Sequence, residues 1–346
     1  MRFIKNSFLF FKFISKVKAV DKENGAYHKY AKHIAAHEIS KLHKINDGSI
    51  SRLHLLKVQW YMATNLYLGE LIAGLRTRAL SLNEKKALVY LGALMAITDL
   101  MTDDFRLEAA KISMLLKEGT REPSELAAIE KLFLLYHERL FAVIDQEKAA
   151  YIRDFSLRKP HIESQLQLNQ EISEAEIHQL TREKGGTAIL LTSSLLFNIT
   201  ERNQKAFYQL GAFIQYLNDS QDIFKDAHAG ITTFVSFCNN FGEVNARLKQ
   251  EFDQTTTLLL QTDFPRASLY SLLFYLNALY TGVLYKNKAF ARKLSDTIDL
   301  GNIRLMDKTT FRIPMFSMKS LVFCLPRMLK YTMPKTHNNN KDAQRN

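Results

Sequence analysis

The stretch ASLYSLLFYLNALYTGVL at 267–284 runs without a single charge. A second stretch, TAILLTSSLLFNI at 187–199, is nearly as apolar. Taken as helices, both are hydrophobic around most of their circumference, so they must be buried on most faces, as in a large bundle. Ser268, Ser271, Asn277 and Thr281 interrupt the longer run. No segment reaches the roughly 18 uninterrupted apolar residues of a membrane span.

Chain breakers are scarce. The 13 glycines and 6 prolines in 346 residues are about half of ordinary usage. No alternating β-branched run is long enough to build a sheet. The fold class expected is therefore all-α: one large helical bundle enclosing an apolar cavity. Helices are expected over 26–45, 50–80, 84–117, 124–157, 176–200, 203–228, 242–262 and 266–292, with a loop at 118–123 and irregular chain at 161–175 and 299–317. His33 and His37 have metal-ligand spacing, but no third ligand accompanies them, so they read as surface histidines.

Net charge is +12, and most of it lies at the two ends. Residues 1–20 carry Arg2, Lys5, Lys12, Lys16 and Lys18 and no acid. Residues 318–346 carry Lys319, Arg327, Lys330, Lys335, Lys341 and Arg345 against Asp342. The body, 21–317, is nearly neutral, which argues against a nucleic-acid-binding surface. Both ends interleave lysine with large apolar residues. They read as segments that lie on an anionic membrane surface, or as terminal helices packed on the body. Two cysteines, Cys238 and Cys324, form no disulfide framework and point to free thiols in a reducing, cytoplasmic setting, with peripheral membrane contact through the ends.

Acidic residues interrupt this apolar pattern at two places. In LGALMAITDLMTDD, Asp99 and Asp103 are one helical turn apart and Asp104 is beside them, at the far end of a buried run. In GAFIQYLNDSQDIFKDAHAG, helical spacing places Gln215, Asn218, Asp222 and Asp226 on one face, with Gly211 leaving space two turns earlier. Asp219 lies at the edge of that face and reads as the acid turned to solvent. Carboxylates at this spacing repel, and burial raises the penalty. A divalent cation removes it. An oxygen-only set suits magnesium or manganese, which take substrate phosphates as further ligands. Two opposed faces of this kind would clamp a diphosphate.

These two sites resemble the metal-binding motifs of class I isoprenoid (terpene) synthases. Asp99-x-x-x-Asp103-Asp104 is similar to the first motif of squalene and phytoene synthases. Gln215-x-x-Asn218-x-x-x-Asp222-x-x-x-Asp226 is similar to their second, and shares its spacing with the Asn-Ser-Glu triad of terpene cyclases. The resemblance covers roughly 85–300. The segment Glu176–Gly186 lacks the tyrosine of the squalene and phytoene enzymes, and Lys184-Gly185-Gly186 is closer to large bacterial terpene synthases. The resemblance implies an isoprenoid synthase fold and ionisation of a prenyl diphosphate. Magnesium would be held by Asp99, Asp103, Asp104, Asn218, Asp222 and Asp226. Lys184, Arg76, Arg78 and Gln215 would bind the diphosphate, and Phe197, Tyr208, Phe213, Tyr270, Phe274 or Tyr275 would face the cation. The function implied is a terpene synthase or cyclase. A squalene- or phytoene-type condensing enzyme and a catalytically inactive helical binding protein are the alternatives.

Overall fold

The structure, a computed structural model, describes residues 2–334 apart from 22–24, 77, 109–110, 113, 116–125, 157–163, 170 and 315–316. The loop expected at 118–123 lies outside the described residues. Among those described there are fourteen α-helices and no strand. They are α1 Arg2–Asp21, α2 Ala26–Ile34, α3 Ala36–Ile45, α4 Arg52–Ala73, α5 Leu82–Asp103, α6 Ala128–Phe141, α7 Gln146–Ser156, α8 Glu174–Ser194, α9 Glu201–Gln221, α10 Ile223–Ala229, α11 Phe241–Leu260, α12 Arg266–Lys293, α13 Leu300–Leu305 and α14 Met318–Leu329. The fold is all-α.

The helix starts follow local chemistry. Ser51, Ser81 and Ser173 cap α4, α5 and α8 in reciprocal capping boxes with the third residue onward. Thr200 and Asn240 cap α9 and α11. Six expected helices are shorter or divided; 50–80 ends at Ala73 and 176–200 at Ser194, and the expected irregular stretch 299–317 contains α13. The 26–45 stretch breaks at Ala35, and 124–157 divides between α6 and α7. The stretch 84–117 stops at Asp103, where Arg106 turns left-handed at φ 49°. The stretch 203–228 breaks at Asp222, with φ −91° and ψ 9°.

Two antiparallel hairpins, α4/α5 and α8/α9, organise the bundle, and α8 packs against both α4 and α5. Asn65 of α4 joins three helices. Its amide donates to Leu88 O at 2.7 Å, and it accepts from Thr192 Oγ1 of α8 at 2.7 Å. On the other side of α8, Arg182 pairs with the fully buried Glu251 of α11 at 2.6 Å, and Gln209 of α9 donates to the same carboxylate at 2.7 Å. A buried carboxylate is tolerable only with such partners.

Helices α11 and α12 continue the ring, and α1 and α14 both dock on α12. The uncharged 267–284 run is thus the core of α12, with Leu269, Leu273 and Phe274 fully buried. By length and apolarity α12 could cross a membrane, but most of it is buried by its neighbours. Of the two readings of the basic ends, packing on the body holds for α1 and α14, while 335–346 lie outside the described residues. Phe10 and Phe13 of α1 and Cys324 and Met328 of α14 belong to the common core. The Asn6 amide donates to Met328 O, Leu329 O and Tyr331 O at 3.1–3.2 Å.

The tightest contact is between α8 and α9. A Cβ built on Gly211 would lie 2.1 Å from Gly185 O, and one on Gly185 would lie 2.2 Å from Gly211 O. Both neighbours are backbone and cannot swing away. Gly211→Ala is expected to destabilise the protein by about 3 kcal/mol through overpacking, measured as urea unfolding followed by circular dichroism. A change below about 0.5 kcal/mol would show that the two backbones are not in contact.

Candidate active site

Antiparallel pairing brings four helix segments to one end of the bundle. The start of α4 and the end of α5 meet there, with the first half of α8 and the end of α9. Both acidic motifs are therefore at the same end. Asp99, Asp103 and Asp219 lie at helix C-termini, where the helix dipole disfavours negative charge, whereas Asp222 leads into α10 and Asp226 is in its first turn.

On the α5 side, Tyr61 Oη donates to Asp99 Oδ2 at 2.6 Å. One turn earlier on α4, Lys57 Nζ is 4.0 Å from Asp104 Oδ2. The α4/α5 pair is close here because Gly92 has no side chain: a Cβ would lie 2.7 Å from Tyr61 O. Burial, then Asp99, pushes the Asp103 carboxyl above its ordinary pKa, against the pull of Lys184 and Lys57.

On the α9 side, Asp219 is buried. It accepts from Gln215 Nε2 at 2.7 Å and from Thr181 Oγ1 of α8 at 3.3 Å. Burial pushes it up to about 6 despite these donors and Lys184. Asp226, also buried, rises to about 7 through burial and through repulsion by Asp219 and Asp222. Asp222 lies in the helix break, 3.7 Å from Lys225 Nζ.

Two side chains feel both acidic ends. Burial and the fields of Asp99, Asp103 and Asp222 push the Tyr61 phenol far up. Burial would lower the pKa of Lys184, but Asp99, Asp219, Asp103 and Asp226 together raise it, so the ammonium stays charged. Lys184 is thus the central cation between the motifs. Its position follows from the adjacent Gly185 contact with α9.

The geometry departs from sequence expectation at several residues. Asp219, expected in solvent, is buried, while Asn218, expected on the site face, is exposed and lies 3.4 Å from Asp222 Oδ2. The crossing of α8 over Gly211, not the count of acids, decides which face turns inward. Gly211 and Gly185 leave no space for substrate; they let backbones touch, and the Tyr208 ring covers Gly186.

Arg76 and Arg78 are at the opposite end of the bundle. Both fork onto Glu84 at 2.7–3.0 Å, and Arg76 also donates to Leu196 O at 3.1 Å. Glu84 lies roughly 22 Å along α5 from Asp99 at 1.5 Å per residue. The arginines are absorbed in joining the α4/α5 turn to the end of α8.

Nor do the six aromatics named above gather at the acids. Phe197 lies under Arg76, Phe213 stacks with Phe252 and Tyr280, and Tyr270 and Phe274 pack near Tyr331. The Tyr275 ring stacks on Phe13. A pocket beside α5 that none of the acids lines is formed instead by Leu94, Met95 and Thr98 of α5, Phe133, His137 and Phe141 of α6, Arg153 of α7, and Leu191 of α8. Its volume is about 40 Å³, room for a few waters rather than the deep cavity expected. Tyr61 and Lys57 were not legible as site residues, since a tyrosine and a lysine in an irregular apolar stripe carry no pattern.

Among the described residues, no three His, Cys, Asp or Glu side chains are gathered closely enough to hold a metal ion by themselves. The donors are nonetheless all oxygens, and their mutual repulsion and burial are the conditions a cation relieves.

No family model matches the sequence, and no curated protein matches it. A crystal structure of a geranyltransferase from Legionella pneumophila superposes with a TM-score of 0.45 at 14% identity, over 79% of this chain and 99% of that one. That superposition is too loose to fix ancestry or fold.

The Glu84 fork makes a separate prediction. Against the cost of burial, the Arg76 and Arg78 guanidiniums hold the Glu84 carboxyl at about 2, below its ordinary value of 4.5. A lowered folded pKa means stability that is full above pH 4.5 and is lost as pH falls toward 2. Glu84→Gln should cost about 2 kcal/mol at neutral pH, and that difference should shrink as the pH drops, measured by urea unfolding across pH. A difference independent of pH would refute the ionic account.

Proposed function

We propose that this protein is a magnesium- or manganese-dependent class I terpene synthase or cyclase that ionises a prenyl diphosphate. The observation that supports it most is that acids from two helix ends, Asp99, Asp103, Asp219 and Asp226, all act on one half-buried lysine, Lys184. Carboxylates gathered at two facing helix ends need a compensating partner, because burial and like charge both oppose them. The motif resemblance at Asp99–Asp104 and Gln215–Asp226 supports the same reading.

Asp99, Asp103 and Asp104 on one side, and Asn218, Asp222 and Asp226 on the other, would hold the cations. No three of these carboxylates form a closed cage, which suits magnesium, since it keeps waters and takes phosphate oxygens. When bound, the metal supplies charge neutralisation for the carboxylates and the departing diphosphate. Lys184 adds a fixed positive charge that needs no reorganisation as negative charge builds on the leaving group. Tyr61 orients Asp99 through its hydrogen bond. Gln215 and Thr181 hold Asp219, which keeps Lys184 charged and in place. The prenyl chain would need an apolar space that excludes water from the carbocation.

Diphosphate release from geranyl, farnesyl and geranylgeranyl diphosphates with magnesium tests this directly. Release with at least one substrate is expected, and none with any substrate would refute it. A product built from two substrate chains would instead mark a squalene- or phytoene-type condensing enzyme.

Three variants refine the assignment. Asp222→Ala should lower turnover by about a thousandfold, as loss of a metal ligand does, with an unchanged circular dichroism spectrum. Tyr61→Phe should lower it by about tenfold, the value of one hydrogen bond to a charged group. Arg78→Gln should leave the rate within about twofold, because its partner Glu84 is at the far end. A loss for Arg78→Gln as large as that for Asp222→Ala would misplace the site.

A further inference from the structure

We propose that the outer face of α1, continued by α14, docks on the surface of an anionic lipid bilayer. The inference is independent of the enzymatic reading.

Helix α1 has two apolar faces. The inner one, with Leu9, Phe10, Phe13 and Ile14, is buried. On the opposite side Ile4, Phe8 and Phe11 fall on one stripe by helical spacing and are 73%, 66% and 61% exposed. The inner face already fixes α1 on α12 and α14, so the outer stripe is not needed for folding. Single exposed apolar side chains are ordinary, but a stripe of them on one helix is not.

The adjoining helix repeats the pattern. Asn6 joins α1 to the end of α14, and both helices dock on α12, so their free sides adjoin. On α14, Met318 and Val322 are more than two-thirds exposed, while Cys324 and Met328 face inward.

The charge around the stripe selects the occupant. Lys5, Lys12 and Lys18 on α1, and Lys319 and Lys330 beside Met318 and Val322, are exposed. Before Asp21 at the end of α1 there is no acidic residue in that helix, and there is none in α14. A second copy of the same surface would bring these like charges together. Anionic headgroups would neutralise them while the apolar side chains enter the interface. Lys5 over the Tyr270 ring at 4.2 Å, and Arg327 over Phe323 at 3.8 Å, keep two cations at the edge of this surface without an acidic partner.

The test is co-sedimentation of the full chain with phosphatidylcholine vesicles, with and without phosphatidylglycerol. At least about tenfold tighter binding to the anionic vesicles is expected, weakening as salt is raised. Phe8→Ser with Phe11→Ser should reduce it by about tenfold, with the thermal melt unchanged because both rings are exposed. Should that variant fold poorly, Lys12→Glu with Lys319→Glu carries the same expectation without touching an apolar contact. Absence of binding to anionic vesicles, or wild-type binding by a folded variant, overturns the proposal. So does light scattering that shows a dimer which the phenylalanine substitutions dissolve, since the occupant would then be a second copy.

Discussion

Everything at the acidic end depends on one contact between two backbones. Where α8 crosses α9, Gly185 and Gly211 leave so little room that a methyl group on either would overlap the other's carbonyl oxygen. This fixes the axial register of the two helices. Lys184 is the residue before one glycine, and Gln215 is one turn beyond the other. Thr181 and Asp219 lie a further turn toward the site, and their hydrogen bond follows from the same register. The α4/α5 pair uses the same device at Gly92, which brings Tyr61 along the α5 backbone toward Asp99. The side chains that define the site are thus positioned by residues that have none.

Stability and chemistry are divided between the two ends of the bundle. At one end Arg76, Arg78 and Glu84 satisfy each other's charge, and the end of α8 is tied in through Leu196. At the other, Asp99, Asp103, Asp219 and Asp226 share Lys184 as a common cation. The first arrangement is electrostatically complete. In the second, burial, and at Asp226 the repulsion of Asp219 and Asp222 as well, makes Asp219 and Asp226 hold their protons to higher pH than ordinary carboxylates.

Much of the fold was legible in the sequence. The run at 267–284 and the acid-tipped helices at 99 and 219 are buried elements as their composition requires. What could not be read comes from tertiary contact. Nothing in the letters around Asp222 stops a helix. The chain turns there as α10 leaves to pack on α13, where Arg304 Nε donates to Ala227 O at 2.7 Å. Counting at 100° per residue put Asn218 beside Asp222, and they are neighbours at 3.4 Å, but it did not foresee that the packing of α8 buries Asp219. Arg76 and Arg78 looked free only because Glu84, their partner, lies beyond a turn. The basic ends read as surface because their lysines and arginines carry no acidic partner in the local sequence. The phenylalanines between them, Phe10 and Phe13, are what hold the first helix in place.

Asn6 receives its partners from residues more than three hundred positions later. During synthesis, α1 leaves the ribosome about three hundred residues before α14, which covers part of its inner face. In that interval the nascent chain has an unfinished core around Phe10 and Phe13, which await segments not yet made. Contacts this distant in sequence slow closure, and exposed apolar surface in the interval invites chaperones or aggregation. Helix α1 is made long before it is secured.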